Sequence, residues 1–77
     1  MKTNKDLKIM KGAWSSMPGS YWEVPKGSHV ESRKMSNPTQ GSFVEYFVSP
    51  AVFPAGSMER HDATHYGCRV SEQDIEA

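Results

Sequence analysis

Apolar residues along this chain recur mostly at every second position, the spacing of strands with one face turned inward. Leu7 and Ile9 alternate with Lys8 and run through Met10 into Gly12. Tyr21–Val24 follows a loop opened by Gly12 and closed by Gly19, with Trp14, Met17 and Pro18 inside it. This spacing predicts strand, tight turn, loop and strand, the opening of a small twisted barrel. Pro25-Lys26-Gly27 is a turn signal, and His29–Met35 is a weakly alternating third strand. Ser36-Asn37-Pro38-Thr39-Gln40-Gly41 is a polar hairpin turn. Phe43–Val48 is β-branched and aromatic, the strongest strand pattern in the chain.

The remainder is more broken. Pro50 and Pro54 bracket a short extended piece around Val52 and Phe53, and Pro54-Ala55-Gly56 is a turn. Met58–Thr64 fits either a strand or one to two turns of helix. Tyr66–Val70 reads as a last strand, and Ser71–Asp74 as a single turn with the Ser71 hydroxyl holding the amide near Asp74. Ile75 is then expected to fold back onto a core of Leu7, Ile9, Val44, Tyr46, Val48, Val70 and Ile75. Residues 1–6 are polar and expected to be flexible, leaving residues 7–77 as a single domain. Gly12 and Gly19 are expected to hold positive φ, which glycine adopts most cheaply.

Length and composition narrow the picture. With 77 residues the core is small, so a compact barrel, an oligomer or a partner is expected to help hold it. The single cysteine, Cys68, excludes an intramolecular disulfide and points to a reducing, cytoplasmic setting. No apolar run reaches the roughly 20 residues of a membrane span. Charge is balanced overall but not along the chain. Residues 1–38 hold seven basic and three acidic side chains, a net of +4, and residues 39–77 a net of −4. Such a dipole suits a basic face for nucleic acid, or mutual attraction of the two halves within a monomer or between copies.

Three groups of side chains are candidates for function. His61, His65 and Cys68 are the ligand types that zinc prefers, with His29, Asp62 or water to complete the shell. They lack the paired Cys-x-x-Cys spacing of strong zinc motifs, and the alternative is surface histidines with a buried, inert cysteine. Tyr21, Trp22, Lys26 and Arg33 form an aromatic and basic set suited to a protein partner, with Glu59 or Asp62 at the rim of a self-contact. Lys8, Lys11, Lys26, Arg33 and Lys34, with Tyr21 or Trp22 stacking, would suit RNA or DNA. Simple alternation turns Trp22 inward with Val24 and leaves Tyr21 outside; a second register, described next, does the reverse.

The first segment resembles the KOW motif of small SH3-like barrels. Leu7, Ile9, Gly12, Trp14, Gly19 and Val24 sit at positions matching its alternating apolar residues, its glycines and its aromatic, and Met17 matches an apolar loop position. The closing run Val70–Glu76 also looks like the turn and final apolar residue that complete such barrels. The likeness covers about a third of the chain, and Pro18 and Trp22 depart from it. It implies Tyr21 and Val24 inward, Trp22 outward, and non-catalytic binding of RNA or protein. The expected fold is therefore mostly β: an SH3-like barrel of about five strands with one short helical turn near the C-terminus. The expected function is a non-enzymatic accessory or regulatory module, with a protein partner or a second copy of itself. Nucleic-acid binding and a small zinc domain are the alternatives.

Overall fold

The computed structural model describes residues 1–12 and 19–77, so Trp14, Met17 and Pro18 lie outside the described residues. In chain order the elements are β1 (Lys2–Thr3), β2 (Leu7–Met10), β3 (Tyr21–Val24), β4 (Val30–Asn37), β5 (Gly41–Val48), α1 (Met58–His65), β6 (Arg69–Val70) and β7 (Ile75–Glu76). Short 3₁₀ turns cover Pro50–Val52 and Glu72–Asp74. The protein is mostly β, with one α-helix. Its strands form three antiparallel sheets, β1–β7, β2–β3 and β4–β5–β6, whose ladders do not close into one barrel among the described residues.

One core nonetheless unites them. Trp22 and Val24 of β3, Val30 of β4, Val48 of β5, Ala63 of α1 and Val70 of β6 are buried together with Phe53 and Cys68. Leu7, Ile9, Tyr46, Val52 and Ile75 pack partly buried against them. The register explains who faces inward. Leu7 pairs with Val24 and Ile9 with Trp22, which puts all four on one face; Lys8, Met10, Tyr21 and Glu23 take the other. On β4–β5 the expected place of Val44 in the core is not found. Val44 pairs with Lys34 in the distal part of the hairpin and is 51% exposed, because among the described residues β6 pairs with β5 only at Tyr46 and Phe47 and does not reach that stretch.

The hairpin turn forms as its polar residues dictate. Asn37 Oδ1 accepts from the amides of Thr39 (3.0 Å) and Gln40 (2.6 Å), and Gly41 follows with φ +75°. The expected extended piece at Val52 is instead a 3₁₀ turn. Pro50 supplies the fixed φ of a helical first position, and Ser49 Oγ accepts from the Ala51 amide at 3.3 Å. Met58–Thr64 resolves as helix: Ser57 Oγ caps it by accepting from the Arg60 amide at 3.2 Å. The last strand is shorter than expected, because Tyr66 ends the helix and Gly67, at φ +84°, reverses the chain. The Ser71 turn exists, but the Asp74 amide donates to the Ser71 carbonyl at 2.9 Å and the hydroxyl makes no cap.

Residues 1–6 depart most from expectation. Polar composition predicts fraying, yet Thr3 is fully buried and pairs with Ile75. Its amide donates to the Ser28 carbonyl, its carbonyl accepts from Gly27, and its hydroxyl donates to the Pro25 carbonyl at 3.0 Å. A single small polar residue with every group satisfied thus fastens the N-terminus to the β3–β4 turn and to the C-terminal strand.

Candidate functional site

The side chains singled out by sequence separate into an interior set and an exterior set. Trp22 and Lys11 belong inside. Trp22 is 2% exposed, and its indole N–H donates to the Glu59 carbonyl of α1 at 3.0 Å. The alternating register therefore holds, and the KOW-like register with Tyr21 inward does not. Trp22 cannot anchor a partner or stack on a base from this position. Lys11 is also buried. Its ammonium lies 3.0 Å from Asp62 Oδ2 and 5.4 Å from the centre of the Trp22 ring. That removes Lys11 from any nucleic-acid surface and Asp62 from any contact rim or metal shell. Sequence reasoning missed this pair because Lys11 sits among four N-terminal lysines and Asp62 lies 51 residues away.

The buried pair also accounts for the helix. Met58–His65 has no continuous apolar stripe, and only Asp62 and Ala63 are buried. Instead α1 docks through a small residue, a carboxylate matched to Lys11, and a carbonyl matched to Trp22. Cys68 completes this interior at 0% exposure. Burial pushes its thiol up from 9.0 to about 12, against the lowering effect of the nearby Lys11 charge. A thiol held neutral in this way is no nucleophile and no ready metal ligand at ordinary pH. The expected His61–His65–Cys68 cluster is accordingly split: both imidazoles are exposed and the thiol is in the core. Among the described residues no group of three or more His, Cys, Asp or Glu side chains converges to hold a metal ion.

Part of the charge dipole of the sequence is neutralised within the fold. Lys2 pairs with Glu76 (3.5 Å), Lys5 with Asp74 (3.1 Å) and Lys11 with Asp62 (3.0 Å). Each joins the basic half to the acidic half, as the attraction of the two halves predicts. Lys8, Lys26, Arg33 and Lys34 remain exposed. Lys8 lies 5.1 Å over the Tyr21 ring and Arg33 4.5 Å over the Phe47 ring, so both partly occupy aromatic faces that a base would need.

The exterior set is apolar. Met10 and Tyr21 are direct cross-strand partners on the outward face of β2–β3, at 61% and 46% exposure. Met10 also borders an open groove of about 450 Å³ between β2 and the start of β6. Ile9, Trp22, Phe47, Tyr66 and Arg69 also line it, and Tyr66 is 50% exposed. Arg69 is held there by Glu45 at 3.1 Å. Of the expected partner-binding residues, then, Tyr21 is outward beside Met10 on a face that also carries Lys8 and Glu23; Lys26 and Arg33 are exposed, and Trp22 is internal.

The chain matches no protein-family model, no curated protein and no solved structure. No helix among the described residues is long and apolar enough to cross a membrane.

Proposed function

We propose that this chain is a non-enzymatic interaction module that binds a protein through the outward face of β2–β3 and the adjoining groove. The observation that carries the reading is the Met10–Tyr21 pair, two large apolar side chains directly opposite one another and about half exposed. Aromatic and methionine side chains are enriched at the centres of protein interfaces, where a few anchors carry most of the binding energy. Lys8 and Arg69 flank this apolar strip as rim charges. Of the five basic candidates for nucleic acid, Lys11 is withdrawn into a buried ion pair with Asp62, which reduces the cluster of free cations through which nucleic acid chiefly binds. The architecture in this reading is a small SH3-like barrel in sequence order. Strands β2 to β6 all contribute to one core, with the groove lying where the ladder between β2 and β6 is open.

The test compares the wild-type chain with a Met10→Ser/Tyr21→Ser variant, which touches no core residue. Sedimentation across a hundredfold concentration range reports self-association. Affinity capture with nuclease treatment and stepped salt reports an external partner. The proposal expects a polypeptide contact, nuclease-resistant and weakly salt-dependent, that the double variant loses while its melting temperature is unchanged. Nuclease-sensitive binding that falls steeply with salt and depends on Lys8, Lys26, Arg33 and Lys34 overturns it in favour of nucleic acid.

A further inference from the structure

His61 and His65 are the two exposed histidines of α1, spaced i and i+4 so that both project from one face. Their ring centroids lie 4.4 Å apart, with the planes inclined at 45°. The helix cannot rotate to separate or bury them. Asp62, between them in sequence, is locked inward on Lys11, and the Glu59 carbonyl is bound by Trp22. The pair therefore presents two neighbouring imidazoles to solvent, on a helix whose other side is fixed to the core.

We propose that the His61–His65 pair binds a borderline divalent transition-metal ion, Cu²⁺ foremost, with water completing the coordination. The spacing is the one by which two histidines on a single helix hold zinc in His-x-x-x-His metal sites. Here the chemistry differs in two respects. The acidic residue after the first histidine, Asp62, is turned into the core, so no general base stands over the metal. Cys68 is likewise internal, so only two protein ligands are available. A two-imidazole site leaves its remaining positions to water and imposes no tetrahedral cage. It thus follows the intrinsic order of stability, in which Cu²⁺ exceeds Ni²⁺ and Zn²⁺. The position of His65 in the last turn of α1 adds the negative end of the helix dipole beneath the cation. The site neighbours the groove through Tyr66, whose ring centroid lies 6.5 Å from that of His65, but its test does not involve a protein partner.

The experiment is titration of the full chain with Cu²⁺, and separately with Zn²⁺, at pH 7.5. Binding is followed by calorimetry, by electron paramagnetic resonance for copper, and by melting temperature. The wild type is expected to bind one equivalent of Cu²⁺ with nitrogen hyperfine structure from two imidazoles, to bind Zn²⁺ more weakly, and to melt at higher temperature when loaded. His61→Gln and His65→Gln should each lower copper affinity by roughly a hundredfold, since either change turns a chelate into a single contact. Both residues are exposed, so the apo melting temperatures of these variants should match wild type. His29→Gln, at the third histidine, should bind as wild type does. Unchanged affinity in both single variants, loss of binding in His29→Gln, or a one-nitrogen signal in the wild type would overturn the assignment.

Discussion

Lys11 Nζ sits 3.0 Å from Asp62 Oδ2, and only 1% and 0% of the two side chains reach solvent. The pair connects the end of β2 to the middle of α1. Withdrawing two charges from water is costly, and their attraction offsets that cost only while both are present. Lys11→Met or Asp62→Ala should each destabilise the fold by about 3–5 kcal/mol, because each removes one member of a buried ion pair. The double replacement Lys11→Met/Asp62→Ala should cost much less than the sum. Urea unfolding of the four proteins measures this coupling, and additive losses would show that the two charges do not support one another.

How far this organisation was legible in the sequence depends on what each element relies on. β2 and β3 declare themselves by period-two alternation, since each buries one face against a common core, and β5 by its β-branched and aromatic run. The Asn37–Gly41 turn is equally plain, because its side-chain bonds are local. Gly19 has the expected positive φ (+84°), whereas Gly12 does not. What alternation cannot reveal is pairing between distant polar residues. Thr3 reads as part of a frayed end until Pro25, Ser28 and Ile75 are placed beside it. Lys11 reads as a surface cation until Asp62 arrives from the other half of the chain. Trp22 is ambiguous in sequence for a related reason: the KOW-like spacing and simple alternation place Tyr21 and Trp22 on opposite faces, and the pairing of Ile9 with Trp22 and the Glu59 carbonyl select between them. The outward Met10–Tyr21 pair is half visible in the sequence, since Tyr21 stands in an aromatic and basic set whereas Met10 reads as the end of a strand.

The burial of Trp22 converts an expected binding residue into a stability residue. Trp22→Ala should cost about 3–5 kcal/mol, as large-to-small changes in a core do. Trp22→Phe keeps most of the ring but leaves the Glu59 carbonyl without the indole donor, and about 1–2 kcal/mol is expected from that loss. Tyr21→Ala, one residue away on the outward face, should stay within about 0.5 kcal/mol of wild type. Thermal melts followed by circular dichroism distinguish the three. A Tyr21 variant as unstable as the Trp22 variants would mean that the two faces of β3 are assigned the wrong way round.

Cys68 gives the fold an alkaline limit. Its thiol is raised in the folded state from 9.0 to about 12, so above pH 9 the unfolded chain loses this proton while the folded chain keeps it. The unfolded state then binds fewer protons, and stability falls as pH rises through the window between the two values. The contribution is complete below pH 9. Within the window its slope approaches about 1.4 kcal/mol per pH unit. Wild type and Cys68→Ala should therefore show urea-unfolding free energies that converge between pH 9 and 11, since only the wild type carries this linkage. In native conditions at pH 8 the thiol should also react with a disulfide reagent no faster than the chain unfolds. A parallel pH dependence in the two proteins, or rapid labelling of the folded wild type, would contradict a neutral, buried thiol.

Gly67 and Gly56 offer a controlled comparison of two costs. Both have positive φ, +84° and +80°, so an alanine at either is strained by the backbone alone. That strain is expected to cost about 1 kcal/mol. At Gly56 nothing lies within 4 Å of the added Cβ, whereas at Gly67 it would meet Phe47 Cε1 at 2.8 Å. Phe47 is 8% exposed and carries Arg33 against its ring, so it has little room to move away. Gly67→Ala should thus lose a further 1–3 kcal/mol, roughly the cost of overpacking. Adding Phe47→Leu to each variant separates the terms: the smaller side chain should recover part of the loss at Gly67 and none at Gly56. Equal destabilisation at the two glycines, with no rescue by Phe47→Leu, would show that the turn after α1 is governed by backbone conformation alone and that Phe47 does not press on it.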